Sequence, residues 1–140
     1  MILYAESSAV LSWLLGEPGQ ERVIAELEAA DRVATSAITV VECARGLARA
    51  RHGGRISAVE ERAALHMLDE AFGSWHVLEI SDEVITRSRA SFPAEPVRSL
   101  DALHLSSALS ILAVAGQVTT LSLDDRIRTN ALAMGMEVVP

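Results

Sequence analysis

A chain of 140 residues, half of them hydrophobic, is long enough to close one core without disulfide or metal staples, and 1–140 reads as a single domain. A net charge of −7 argues against a protein that grips nucleic acid through a broad basic face, and the lone Cys43 rules out an internal disulfide and suits a reducing compartment, here the cytoplasm. All 12 basic residues are arginine, the side chain best shaped for two-point contact with phosphate.

The opening MILYAESSAVLSWLLG is apolar, but it has no basic leader, carries Glu6 and is too short to span a bilayer, so no membrane association is expected. It reads as a strand, Ile2 to Ala5, then a helix capped by Ser7 or Ser8 and running to Gly16, with Glu6 at the junction. Pro18 suits the first turn of a second helix, whose apolar stripe is Val23, Ile24 and Leu27. These two helices carry enough apolar surface to leave a groove for a partner helix. Val33 to Thr35 is a short second strand.

Ala37 to Ala50 is helical in pattern. Within it Glu42 has Arg45 and Arg49 at helical spacing, so it is either a surface acid paired with Arg45 or, because Ile38-Thr39-Val40-Val41 precedes it, an inward-facing one. The dense basic run Arg49 to Arg55 contains Gly53-Gly54, which should end the helix in a mobile loop able to touch a phosphate backbone. Ser57-Ala58-Val59-Glu60 is a capping-box pattern opening a helix to about Ala71. Trp75 to Ile80 alternates as a third strand. Ser81 caps a helix from Asp82 to about Ala90, and Pro93 and Pro96 separate it from the next helical segment.

RSLDALHLSSAL, Arg98 to Leu109, opens a helix that stays apolar on most faces until Gly116 and should be buried. Asp101 near its start has two readings: an acid sharing with Ser99 the capping of free N–H groups, or a metal ligand that needs other acids beside it. His104, one turn on, reads as a packed or surface histidine and not as a metal ligand. Val118 to Ser122 is a fourth strand, Asp124-Asp125-Arg126 begins a last helix that Gly135 ends, and Glu137 to Val139 is a fifth strand. This alternation calls for an α/β fold with a parallel sheet of four to five strands covered on both faces. Neither GxGxxG nor GxxxxGK[ST] occurs, which leaves a nucleotide binder without its signature.

In such a sheet the strand ends and following helix starts gather along one edge, where open α/β folds place their sites. Glu6 and Asp124 sit at such junctions, Asp101 at a helix start, and Glu42 one turn inside its helix. Carboxylates without Cys or His partners, brought together, favour Mg2+ or Mn2+.

The chain resembles the PIN domain family, in particular the VapC-type toxins of bacterial toxin-antitoxin pairs. The resemblance is carried by MILYAESSAV, TSAITVVECARGLARA, RSLDALHLSSAL and TTLSLDDRIRTNALAMGMEVV. It implies a three-layer α/β/α sandwich and a metal-dependent endoribonuclease site made of Glu6, Glu42, Asp101 and Asp124. It also implies an RNA substrate, a homodimer and a neutralising antitoxin. Ser7, Ser122 and Asp125 are accessory candidates; Arg45, Arg49 and Arg98 are candidates for substrate phosphates, with Arg98 also expected to pair with the acids. One position departs from the family pattern: Glu6 stands where the family has Asp. The added methylene exceeds the roughly 0.5 Å tolerance of a preorganised site, which motivates the alternative of a weakened or inactive protein that binds antitoxin or RNA without cutting.

Overall fold

In the strand Ile2–Ala5 (β1) successive side chains point to opposite faces, and each face meets its own core. Leu3 and Ala5 belong to one cluster with Ala9, Val10, Cys43, Leu47 and Leu68; Tyr4 belongs to the other with Leu105, Ile127 and Met136. The computed structural model describes residues 1–140. After β1 come α1 (Ser7–Leu15), α2 (Gln20–Ala29), β2 (Arg32–Ser36), α3 (Ala37–His52), α4 (Ala58–Ser74) and β3 (His76–Leu78). The chain continues through α5 (Asp82–Ser88), α6 (Ser99–Ala115), β4 (Thr119–Leu121), α7 (Asp125–Ala133) and β5 (Glu137–Val139).

All strand pairs are parallel and the sheet order is β3-β2-β1-β4-β5. Helices α1 to α4 cover one face and α5 to α7 the other, giving the expected three layers. The chain winds outward from β1 through β2 to β3, then returns to place β4 on the opposite side of β1. The order therefore reverses between β1 and β4, and a crevice opens beyond their carboxyl ends. No helix is long and apolar enough to cross a membrane.

Several boundaries differ from the sequence reading for identifiable reasons. Pro18 is not in the first turn of α2. It holds the second position of a turn closed by Gln20 N donating to Glu17 O (3.0 Å), with Gly19 at φ 91°, ψ −1° in the third; proline then left-handed glycine is the type II arrangement. Gly53-Gly54 ends α3 as expected, with Gly53 as its C-cap, but only the end of the basic run lies beyond the helix. Arg49, Arg51 and His52 form the last turn of α3, where positive charge opposes the helix dipole, and Arg55 pairs with Glu17 at 3.2 Å. The capping box of α4 forms as expected, but the helix runs on to Ser74. Strand β3 is shorter than the alternation suggested and α5 stops at Ser88.

The helices foreseen to carry surplus apolar surface do border a groove. It encloses about 460 Å³ between α2 and α4 and is lined by Trp13, Ile24, Leu27, Met67, Ala71 and Trp75 together with Glu28, Glu70 and Ser74.

Candidate active site

Glu6 follows β1 directly, and its backbone N–H donates to Leu121 O at the end of β4 (3.0 Å), which ties it to the crevice. Neither Ser7 nor Ser8 caps α1. Glu6 does so itself, accepting from Ser8 N at 3.1 Å, and its other oxygen accepts from the Ser8 hydroxyl and from Ser122 Oγ (2.7 Å). A carboxylate only 4% exposed is tolerable here because every donor around it is aimed at it. The extra methylene of Glu6 is what lets one side chain cap its helix and also reach across to Ser122.

Asp124 is the N-cap of α7. Its Oδ1 accepts from Arg126 N (2.9 Å) and Ile127 N (3.3 Å), so Oδ2 is the oxygen turned outward. Asp101 is buried in the first turn of α6 but is not its cap, and Ser99 is not either: the N-cap position is Arg98, with no side-chain capping bond. Asp101 instead takes Arg98 Nε on Oδ2 (2.9 Å) and Arg98 Nη2 on Oδ1 (3.4 Å), and the same Nη2 reaches Asp124 Oδ2 at 3.2 Å. One guanidinium thus bridges two acids from different elements. The Arg98 guanidinium is held further above its ordinary pKa by the hydrogen bond to Asp101 and the charges of both acids.

Glu42 faces inward. Both of its hydrogen bonds fall on Oε1, from Ser7 Oγ (2.7 Å) and His104 Nε2 (2.6 Å). Burial works to raise the Glu42 carboxyl, yet the bonds from His104 and Ser7, with the charge of Arg49 beyond, carry it below the usual range. Of the two positions expected for His104, packed or at the surface, it takes the first, at the centre of the acids: Nδ1 lies 2.8 Å from the Tyr4 hydroxyl and Nε2 also touches Ser7 Oγ at 2.7 Å.

Glu6, Glu42, Asp101 and Asp124 line one cleft of about 440 Å³, with Ser7, Ser8, Arg45, Arg49 and Arg98 and the apolar Leu11, Ile38, Val41 and Leu100. Ser122 touches the cleft through Glu6. Asp125 is exposed, in the first turn of α7, and is not among the lining residues. Tyr4, Ser8 and His104 are participants to which the sequence reading gave no part in the site. The available signal was position: His104 shares a face of α6 with Asp101, one turn on, and a histidine on a buried face needs partners.

The carboxylates suit a hard divalent cation in kind, being all oxygen and facing one space. As they stand, no three Asp, Glu, His or Cys side chains converge on a point where they would share an ion. The space between Asp101 and Asp124 is taken by Arg98, so the cleft already balances part of its negative charge with a cation of its own.

Comparison with known proteins decides the family. Residues 3–132 match the PIN domain. The chain belongs to the PIN domain family. It is 32% identical over 142 residues to ribonuclease VapC35 of Mycobacterium tuberculosis, covering 99% of this chain and 96% of that one. In fold it resembles VapBC2 from Rickettsia felis bound to a DNA fragment from their promoter (TM-score 0.67, 14% identity, all of both chains). It also resembles Mycobacterium tuberculosis VapC20, a sarcin-ricin loop cleaving toxin (TM-score 0.64, 15% identity, 99% of both chains). The crevice beyond β1 and β4 is thus an acidic cleft in a chain of the PIN domain family.

Proposed function

We propose that this PIN domain is a metal-dependent endoribonuclease, the toxin of a toxin-antitoxin pair, working in the cytoplasm. The observation that carries the reading is the cleft itself: four acids from four separate elements face one space whose rim holds Arg45 and Arg49. The kinship with a ribonuclease over the whole chain supports it.

Asp101, Glu42 and Asp124 are the residues that would hold Mg2+ or Mn2+, with Glu6 bracing the floor of the cleft through Ser8 and Ser122. An ion held by these residues would supply polarisation of water and of the phosphodiester oxygens for hydrolysis. Arg45 and Arg49 stand one turn apart on the exposed side of α3, spaced to take successive phosphates. An acidic protein can hold RNA in this way because the contacts are few and local.

The antitoxin and dimer belong to the same proposal. The groove between α2 and α4 has an apolar floor and acidic Glu28 and Glu70, which suits an amphipathic helix with a basic flank. Size-exclusion chromatography of the isolated chain should give a dimer, and a monomer at high concentration would remove that part.

The decisive experiment is cleavage of a mixed RNA pool by the purified chain in Mg2+ and in Mn2+, against EDTA and an Asp101→Asn preparation. Cutting that needs the metal and disappears in Asp101→Asn is the expected result. A folded parent silent in both metals would overturn the nuclease reading in favour of a protein that binds antitoxin or RNA without cutting it.

A further inference from the structure

Tyr4, His104 and Glu42 come from β1, α6 and α3, and they form a single line of hydrogen bonds from the centre of the sheet to the cleft. We propose that Tyr4 and His104 are a positioning pair: Tyr4 O–H fixes His104 in the tautomer protonated at Nε2, which clamps Glu42 Oε1 and presents Oε2 to the cleft. This rests on the ribonuclease reading of that cleft.

The proton positions are set by donors and acceptors. A glutamate is ordinarily ionised at neutral pH and can then only accept, so the Nε2 lying 2.6 Å from Glu42 Oε1 must carry a hydrogen. Ser7 Oγ donates to the same oxygen at 2.7 Å and cannot also supply a proton to Nε2. At the other ring nitrogen, the Tyr4 hydroxyl is wholly buried and lies 2.8 Å from Nδ1, with the Ser36 and Ser107 side chains also beside it. With Nε2 carrying the hydrogen that Glu42 accepts, the neutral ring leaves Nδ1 bare, and the Tyr4 O–H is the donor in reach of it.

The consequence is directional. Both hydrogen bonds to Glu42 converge on Oε1, leaving Oε2 as the oxygen free to meet a ligand in the cleft. Glu42 lies on α3 with a side chain about a quarter exposed, and without the clamp its rotamers would sweep the cleft. Residues that orient a ligand-bearing side chain through its second atom typically change affinity or rate by about 10- to 100-fold.

The test uses the intact chain. Long-range nitrogen–proton NMR on the His104 ring should show Nε2 protonated and Nδ1 bare in the parent, and a mixture of tautomers in Tyr4→Phe. In Tyr4→Phe, kcat for RNA should fall about tenfold with KM within about twofold, the split expected of lost positioning and not of lost binding. His104→Gln, which can still offer an N–H near the Nε2 position, should keep more of kcat than His104→Leu at comparable folded content. A protonated Nδ1 in the parent would overturn the tautomer and with it the pair. The expected tautomer with kcat unchanged in Tyr4→Phe would overturn the positioning role. The expected tautomer in a parent that cuts no RNA would instead overturn the ribonuclease reading and reduce Tyr4 and His104 to packing.

Discussion

Arg98 Nη2 lies 3.2 Å from Asp124 Oδ2 while its Nε lies 2.9 Å from Asp101 Oδ2, so a single guanidinium stands where a cation shared by those acids would sit. The Arg98 side chain is 62% exposed, and solvent screens the pairing. A divalent ion can therefore displace it, but only in competition with it. Replacing Arg98 by Gln should tighten Mn2+ binding severalfold by calorimetry, with the gap between variant and parent shrinking as salt is raised. Equal or weaker binding by Arg98→Gln would show that the guanidinium does not compete.

Glu6 is expected to resist the change that family likeness recommends. An aspartate at this position could still cap α1, since Asp is a favoured cap, but its carboxylate would fall short of Ser122 Oγ, now bonded at 2.7 Å. Losing that buried bond costs about 1 kcal/mol. Glu6→Asp should lower stability by that order in urea unfolding and bring no gain in RNA cleavage. A gain of tenfold or more would mean that Glu6 is a spoiled acid and not an accommodated one.

These two positions show how much of the protein is legible in its sequence. Five strands and seven helices could be placed from alternation, helical spacing and turn residues, because those signals are local. Boundaries slipped where a local choice had two satisfactory outcomes: Pro18 suits a first helical turn and a type II turn alike, and only the packing of α2 decides between them. Glu6, Glu42, Asp101 and Asp124 stood out as acids beside apolar runs, and resemblance gathered them. The roles of Tyr4, Ser8 and His104 were not legible, because each depends on a partner from another element. Arg98 was read as an ion-pairing residue, but its bridging of both acids needs the sheet order that brings α6 and α7 side by side.

Cys43 gives a pH-dependent prediction. Burial, and after it the charges of Glu42 and Glu6, pushes its thiol from 9.0 up to about 12. At pH 8 only about one thiol in ten thousand is then ionised, so the native chain should not react with a disulfide reagent, while the denatured chain should give one equivalent. The stability consequence has a definite sign. Below pH 9 the thiol is protonated in both states and contributes no pH dependence; between about 9 and 12 the unfolded chain loses the proton first, so folding stability falls as pH rises. Rapid labelling of the native protein at pH 8 would contradict the enclosed position of Cys43.

Gly46 controls how closely α1 and α3 approach, and so how Ser7 meets Glu42. A Cβ at this position would lie 2.5 Å from Leu11 Cδ2, 2.9 Å from Cδ1 and 3.3 Å from Cγ. Alanine in a helix interior gains about 1 kcal/mol over glycine, but forcing a packed side chain aside costs about 1–3 kcal/mol. Gly46→Ala should therefore destabilise the parent by about 1 kcal/mol in urea unfolding. In a Leu11→Ala background the obstacle is gone, and the same substitution should stabilise by a similar amount. The reversal of sign is the signature of contact between the two positions. Stabilisation by Gly46→Ala in both backgrounds would mean that this glycine does not set the spacing of α1 and α3, and that the meeting of Ser7 with Glu42 is fixed elsewhere.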